Sequence, residues 1–167
     1  MRSMIRVLTV GLMSGVSIGS VTVAAQSPQA VERFTGTWIQ NIAKSKYNPG
    51  PGLKSQTVVI KVSEGGLLAT GDFVNAQGQH QQNQVEIPPP AKFDGKDYPV
   101  KGAAEPTTRS FKWIDDSTME WVTKVNGKQT ATTRASLSRD GKTQMLTTTG
   151  INAQGQKFNN VVVLEKQ

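Results

Sequence analysis

Phe34-Thr35-Gly36-Thr37-Trp38 follows an apolar leader and opens a train of short amphipathic segments that ends in Val163-Leu164-Glu165-Lys166. An aromatic, a glycine and a tryptophan at this spacing suit the first strand of a small closed β-barrel, with the indole plugging one end. Gly36 and Trp38 are therefore read as structural, and any function is sought further along the chain.

Downstream of this motif the hydrophobic period is two almost throughout, which marks half-buried strands. In 55–63, Val58, Ile60 and Val62 share one face and Thr57, Lys61 and Ser63 the other, with Val59 the exception. Gly65-Gly66 turns the chain into 67–74, and Asn75-Ala76-Gln77-Gly78 turns it into 79–87. Pro88-Pro89-Pro90 then removes three ladder donors, so 88–105 is expected to be a connection with at most a short edge strand near 98–101. Segments 107–114 and 118–125 flank Asp115-Asp116-Ser117, and 128–138 follows Asn126-Gly127, a pair suited to a tight hairpin. Asp140-Gly141 leads into 142–149, and Asn152-Ala153-Gln154-Gly155 leads into 156–166. This order predicts an all-β fold, an antiparallel up-and-down barrel of about eight to ten strands. The one place for a short helix is 27–33, where Ser27 could cap and Pro28 take the first helical position. Asn75-Ala76-Gln77-Gly78-Gln79 recurs as Asn152-Ala153-Gln154-Gly155-Gln156, and both copies read as turn chemistry rather than as a duplicated site.

Arg2 and Arg6 precede an uncharged stretch, 7–23, that ends in small residues at Val23-Ala24-Ala25, the pattern of a signal peptide cleaved after Ala25. Its glycines, serines and threonines make it too short and too polar to span a membrane. The expected organisation is a signal peptide, 1–25, and one exported domain, 26–167, periplasmic or extracellular, without stable membrane insertion. Removing 25 of 167 residues leaves 142, enough for one sizeable core. No cysteine is present, so neither disulfides nor thiolate chemistry contribute. The leader holds two of the 19 basic residues, so the mature chain sets 17 against 12 acids, a net +5. Those cations are spread singly through hairpins, which argues against nucleic acid as a partner.

The Gly36-x-Trp38 strand, the meander and the terminal Glu165-Lys166 resemble the calycins, the lipocalins and fatty-acid-binding proteins. Three runs, Ala43-Lys44-Ser45-Lys46-Tyr47-Asn48-Pro49-Gly50-Pro51, Phe93-Asp94-Gly95-Lys96-Asp97-Tyr98-Pro99-Val100 and Asp140-Gly141-Lys142-Thr143, are similar to small exported bacterial proteins described as lipocalin-like. The second likeness covers essentially the whole mature chain and implies a calycin-like barrel and export, but no activity. Fatty-acid-binding proteins carry an Arg-x-Tyr pair before the Glu-Lys ending, whereas Val162 and Leu164 occupy those positions here. A second internal arginine of that family corresponds to Arg134. The helix pair that caps their barrels has no counterpart in the proline- and glycine-rich 44–54.

Candidate ligand-facing residues follow from strand parity. Arg109, Phe111 and Trp113 share one face of their strand, and Met119 and Trp121 share one face of the next. If those faces line the lumen, the wall suits an apolar or aromatic molecule, with Arg109 near one end; the alternative is that the same side chains fill a narrow core. Arg134 shares its face with Thr130, Thr132, Ser136 and Ser138, which reads as solvent-facing or stacked on Trp38, with a lumenal role as the alternative. The single histidine, His80, lies among glutamines in a hairpin and reads as exposed, and no nucleophile elbow accompanies it. Asp115-Asp116 and the pair Asp94 and Asp97 sit in loops where aspartate serves turns. The expectation is therefore a non-catalytic protein, with no cofactor and no metal site, that binds a small apolar or amphipathic molecule. A protein-interaction module with a filled barrel and a small-barrel enzyme stand as alternatives, and the oligomeric state is open.

Overall fold

Ten strands, each paired to its sequence neighbour, form one antiparallel sheet that the first and last strands close into a barrel. The computed structural model describes residues 28–63, 66–88 and 93–167. The expected leader, Gly65 and Pro89-Pro90 lie outside the described residues. In chain order the elements are α1 (Pro28–Arg33), β1 (Gly36–Gln40), β2 (Ser55–Ser63), β3 (Gly66–Val74), β4 (His80–Ile87), β5 (Asp97–Lys101), β6 (Thr107–Asp115), β7 (Thr118–Val125), β8 (Lys128–Leu137), β9 (Thr143–Ile151) and β10 (Lys157–Lys166). The up-and-down order expected from the hairpin spacing is the order observed, with ten strands.

Closure runs through β1. Trp38 pairs with Val58 on β2 and with Lys166 on β10, so the tryptophan of the opening motif sits where the ends of the sheet meet. Its ring is fully buried, and its indole N–H donates to the Phe34 carbonyl at 2.8 Å, so the one polar atom is satisfied locally. The Lys166 ammonium lies 5.2 Å from the centre of the indole and donates to the Arg33 carbonyl at 3.4 Å. Gly36 is required twice over. Its φ of +121° is one that residues with a Cβ rarely adopt, and a Cβ there would come within 2.8 Å of the Lys166 side chain.

Strand alternation defines two ends. The base carries α1 and the β2–β3, β6–β7 and β8–β9 connections; the mouth carries the β3–β4, β7–β8 and β9–β10 connections and the 41–54 loop. Phe34, Trp38, Ile87 and Leu164 are the largest fully buried side chains, and they pack together toward the base. Arg33, at the end of α1, donates at 3.5 Å to the carbonyls of Asp116 and Ser138, which ties the helix to two base hairpins.

One expectation needs correction. The segment near Tyr98 is not an edge: β5 pairs with β4 through Gln84 and Val85 and with β6 through Thr108, Arg109 and Ser110. A closed sheet has no edge to occupy, so even a short strand containing Pro99 is enclosed on both sides.

The two copies of the Asn-Ala-Gln-Gly-Gln repeat form the same turn at the mouth. Asn75 Oδ1 accepts from the N–H of Gln77 (3.0 Å) and of Gln79 (2.9 Å); Asn152 Oδ1 accepts from Gln154 (3.0 Å) and Gln156 (2.9 Å). Gly78 and Gly155 sit at φ of +85° and +77°, which explains the glycine in each copy.

Base connections are instead set by aspartates. Backbone N–H donation from Ser117, then its hydroxyl, holds Asp115 below the usual carboxylate range; the Ser138 hydroxyl, then the N–H of Lys142, does the same for Asp140. The native carboxyls thus release their protons more readily than the unfolded chain does. The stability they contribute is complete above the ordinary value of 3.8 and is lost as pH falls through the lowered native values.

Three outcomes are expected. Trp38→Ala lowers unfolding free energy by about 3–5 kcal/mol in urea titration, and a loss below ~1 kcal/mol would contradict its role at the closure. Asn75→Ala and Asn152→Ala each cost about 1 kcal/mol, equal within error, because each removes the same exposed hydrogen bonds. Urea midpoints stay level from neutral pH to about pH 5 and fall below about pH 4, less steeply in Asp140→Asn; a midpoint unchanged down to pH 3 would contradict this assignment.

Candidate functional site

Inside the barrel lies a cavity of about 270 Å³. Its base half is walled by Ile60, Leu67, Val85, Ile87, Met119, Leu164 and the Phe34 ring, all buried and apolar. Toward the mouth polar groups enter the lining, Gln56, Asn83, Arg109, Thr123, Thr133 and Thr148, beside Phe73 and Ala131. The gradient follows from the strands themselves: inward positions near the base interdigitate as core, and those near the mouth have fewer neighbours to pack against.

Parity places the residues anticipated from the sequence. Arg109 and Phe111 of β6 and Met119 and Trp121 of β7 all line the cavity. Phe111 and Trp121 are register partners with ring centres 5.9 Å apart, and together they form an aromatic wall. Trp113 shares their face but does not line the cavity. It packs edge-on against Phe34 (5.3 Å) and Phe93 (5.2 Å) and so belongs with the base plug. Val162 and Leu164 do face the lumen, so the positions of the missing Arg-x-Tyr pair are lumenal but apolar.

Arg134 is outside the lumen, and its ligand-facing candidacy is corrected. It is exposed on β8 and donates to Glu120 Oε2 at 3.2 Å, while Lys112 reaches Glu120 Oε1 at 2.8 Å. Lys112, Glu120 and Arg134 are register partners on β6, β7 and β8, a cross-strand charge ladder on the outer wall. Donation from Lys112, reinforced by Arg134, holds the Glu120 carboxyl below its ordinary range. The alternate residues of β8, Ala131 and Thr133, face the cavity instead. The cation over Trp38 is Lys166, not Arg134.

Arg109 differs in kind from the other cations. Its Nε is buried without a hydrogen-bond partner. No aspartate or glutamate lines the cavity among the described residues. Burial alone lowers its pKa below the usual guanidinium range, yet the group stays charged at neutral pH. Its register partner on β7 is Thr123, and the next inward row holds the Thr133 and Thr148 hydroxyls, 3.0 Å apart. His80 is exposed, with Nε2 2.8 Å from Asp72 Oδ1, and does not line the cavity.

Some lining residues escaped sequence reading. Gln56 shares the inward face of β2 with Val58 and Ile60, so the same alternation could have found it. Phe93, before β5, carried no periodic signal, because its place is set by ring contacts with Phe111 and Trp113 of β6.

No protein-family model matches this chain, and no curated protein matches it. Among solved structures it is similar to the crystal structure of Rv2717c from M. tuberculosis, with a TM-score of 0.51 and 13% identity, over 86% of this chain and 99% of that one. At that identity the likeness concerns the barrel fold alone.

Since Arg134 is itself exposed on the outer wall and Glu120 keeps its contact with Lys112, Arg134→Ala is expected to change unfolding free energy by less than about 1 kcal/mol and to leave the cavity unaltered. Urea titration checks the first expectation. A crystal structure of the variant with a reshaped lumen would contradict the second.

Proposed function

We propose that this chain is an exported, non-catalytic, lipocalin-like protein that holds a small apolar or amphipathic molecule in its barrel. The observation that carries this reading is the lumenal cavity of about 270 Å³, apolar at its base and with polar groups entering toward its mouth. Pockets for drug-sized ligands run to roughly 300–1,000 Å³, so the occupant is small. Export rests on the leader pattern of residues 1–25, with the periplasm or the extracellular medium as destination.

A non-catalytic role is supported by what surrounds the cavity: the single histidine is outside it, and no carboxylate faces it among the described residues. The outer wall carries Lys61, Lys112, Lys124 and Arg134 among the described residues, which supports a protein that is not stably inserted in lipid. Scattered surface cations also support the absence of a nucleic-acid partner.

Native mass spectrometry of the protein purified from its own envelope is expected to show a bound organic molecule that dissociates on activation. A panel of lipids and aromatic metabolites is expected to contain members that raise the melting temperature by roughly 5–10 °C at a hundredfold excess over Kd. Ala131→Leu, which extends a side chain into the lumen, is expected to abolish that rise while leaving the fold in place by circular dichroism. Recovery of bare polypeptide together with no shift across the panel would overturn the reading.

A further inference from the structure

We infer that the lumen selects a compact organic carboxylate whose head group is held by Arg109 and whose apolar body lies against Phe111 and Trp121. This rests on the binding reading above and names the class of ligand that the same cavity takes.

Arg109 is partly buried with its Nε sealed from water, and a cation drawn out of water without a counter-ion is costly, so proteins ordinarily pair such charges. Here the neighbouring acids are committed elsewhere. Glu120 is held outside by Lys112 and Arg134, and Asp97 by Lys124 at 2.8 Å. Arg109 therefore keeps an unpartnered Nε beside a cavity that holds no acid among the described residues. A guanidinium matches a carboxylate through paired N–H donors, and the match strengthens where water is excluded.

Position then selects the rest of the ligand. Arg109 stands on β6 one inward step nearer the mouth than Phe111, whose partner across the ladder is Trp121. A head group at Arg109 places the attached body on this aromatic wall, with the apolar base beyond it. Size is limiting as well. At about 30 Å³ per water-sized volume the cavity holds roughly ten such units, which suits a ligand of about ten to fifteen heavy atoms and excludes a long acyl chain.

Calorimetric titration of the full mature chain with 2-naphthoate and 2-naphthamide isolates the charge, because the two probes differ little in shape. 2-Naphthoate is expected to bind at least tenfold more tightly than the amide. Arg109→Met is expected to bring that ratio close to one while keeping amide binding, and Arg109→Lys to retain part of the preference. Arg109→Met is also expected to unfold at an equal or higher urea concentration than the unsubstituted protein, since it removes an uncompensated charge; a purely structural arginine would give the opposite result. A ratio near one in the unsubstituted protein, or one that survives Arg109→Met, overturns the carboxylate assignment and leaves the binding reading standing. Hexadecanoate binding more tightly than 2-naphthoate overturns the size limit. Failure of all three probes to bind overturns the lumenal-binding reading along with this inference.

Discussion

Closure of the sheet at β1 is the constraint on which the remaining structure depends. This strand is only five residues long, yet it pairs on one side with β2 and on the other with β10. Trp38 lies in that seam with its polar atom bound to Phe34 and its ring under Lys166. Once the ends meet, every strand has one face enclosed and one face in water, and a side chain's role follows from parity. Arg109 and Arg134 illustrate the consequence. Both are arginines on central strands, but one faces the lumen without a partner and the other joins an exposed ladder with Glu120.

The barrel divides its interior between stability and accessibility. At the base, Phe34, Trp38, Trp113, Phe93 and Ile87 fill the space as a protein core does, under α1. Toward the mouth, Gly71 and Gly150 lie against the rings of Phe73 and Phe158, and the inward wall thins to threonine, alanine and amide side chains. With aromatic residues only 6% of the chain, bulky side chains are too few to fill both halves. A cavity persists where packing would otherwise continue. Among the described residues, Gln40 Oε1, Trp113 Nε1, Gln144 Nε2 and Arg109 Nε are buried without a partner, and Arg109 alone of these brings a charge to the cavity.

Much of this was legible before any coordinates, because local chemistry is written in local sequence. Period-two alternation located the strands, Asn-Gly and Asn-Ala-Gln-Gly located hairpins, and Gly36-x-Trp38 marked where the barrel begins. Strand parity also placed Arg109, Phe111, Met119 and Trp121 on shared faces. Less legible were features that depend on distant segments. Pro99 made β5 look like an edge until both flanking strands were in place, and Trp113 shared the lumenal face but was drawn into the base by Phe34 and Phe93. Gln56 was within reach of the same parity rule, and Phe93 was not.

What the sequence by itself determined is therefore the meander: which segments are strands, where they turn, and which residues share a face, since each follows from short-range sterics and hydrogen bonding. What only the tertiary structure decided is which face is inside, how far the core extends along the barrel, and which cation faces the lumen with a buried, unpartnered atom. Those outcomes depend on register and closure between residues as far apart as Trp38 and Lys166, and no local pattern encodes such contacts.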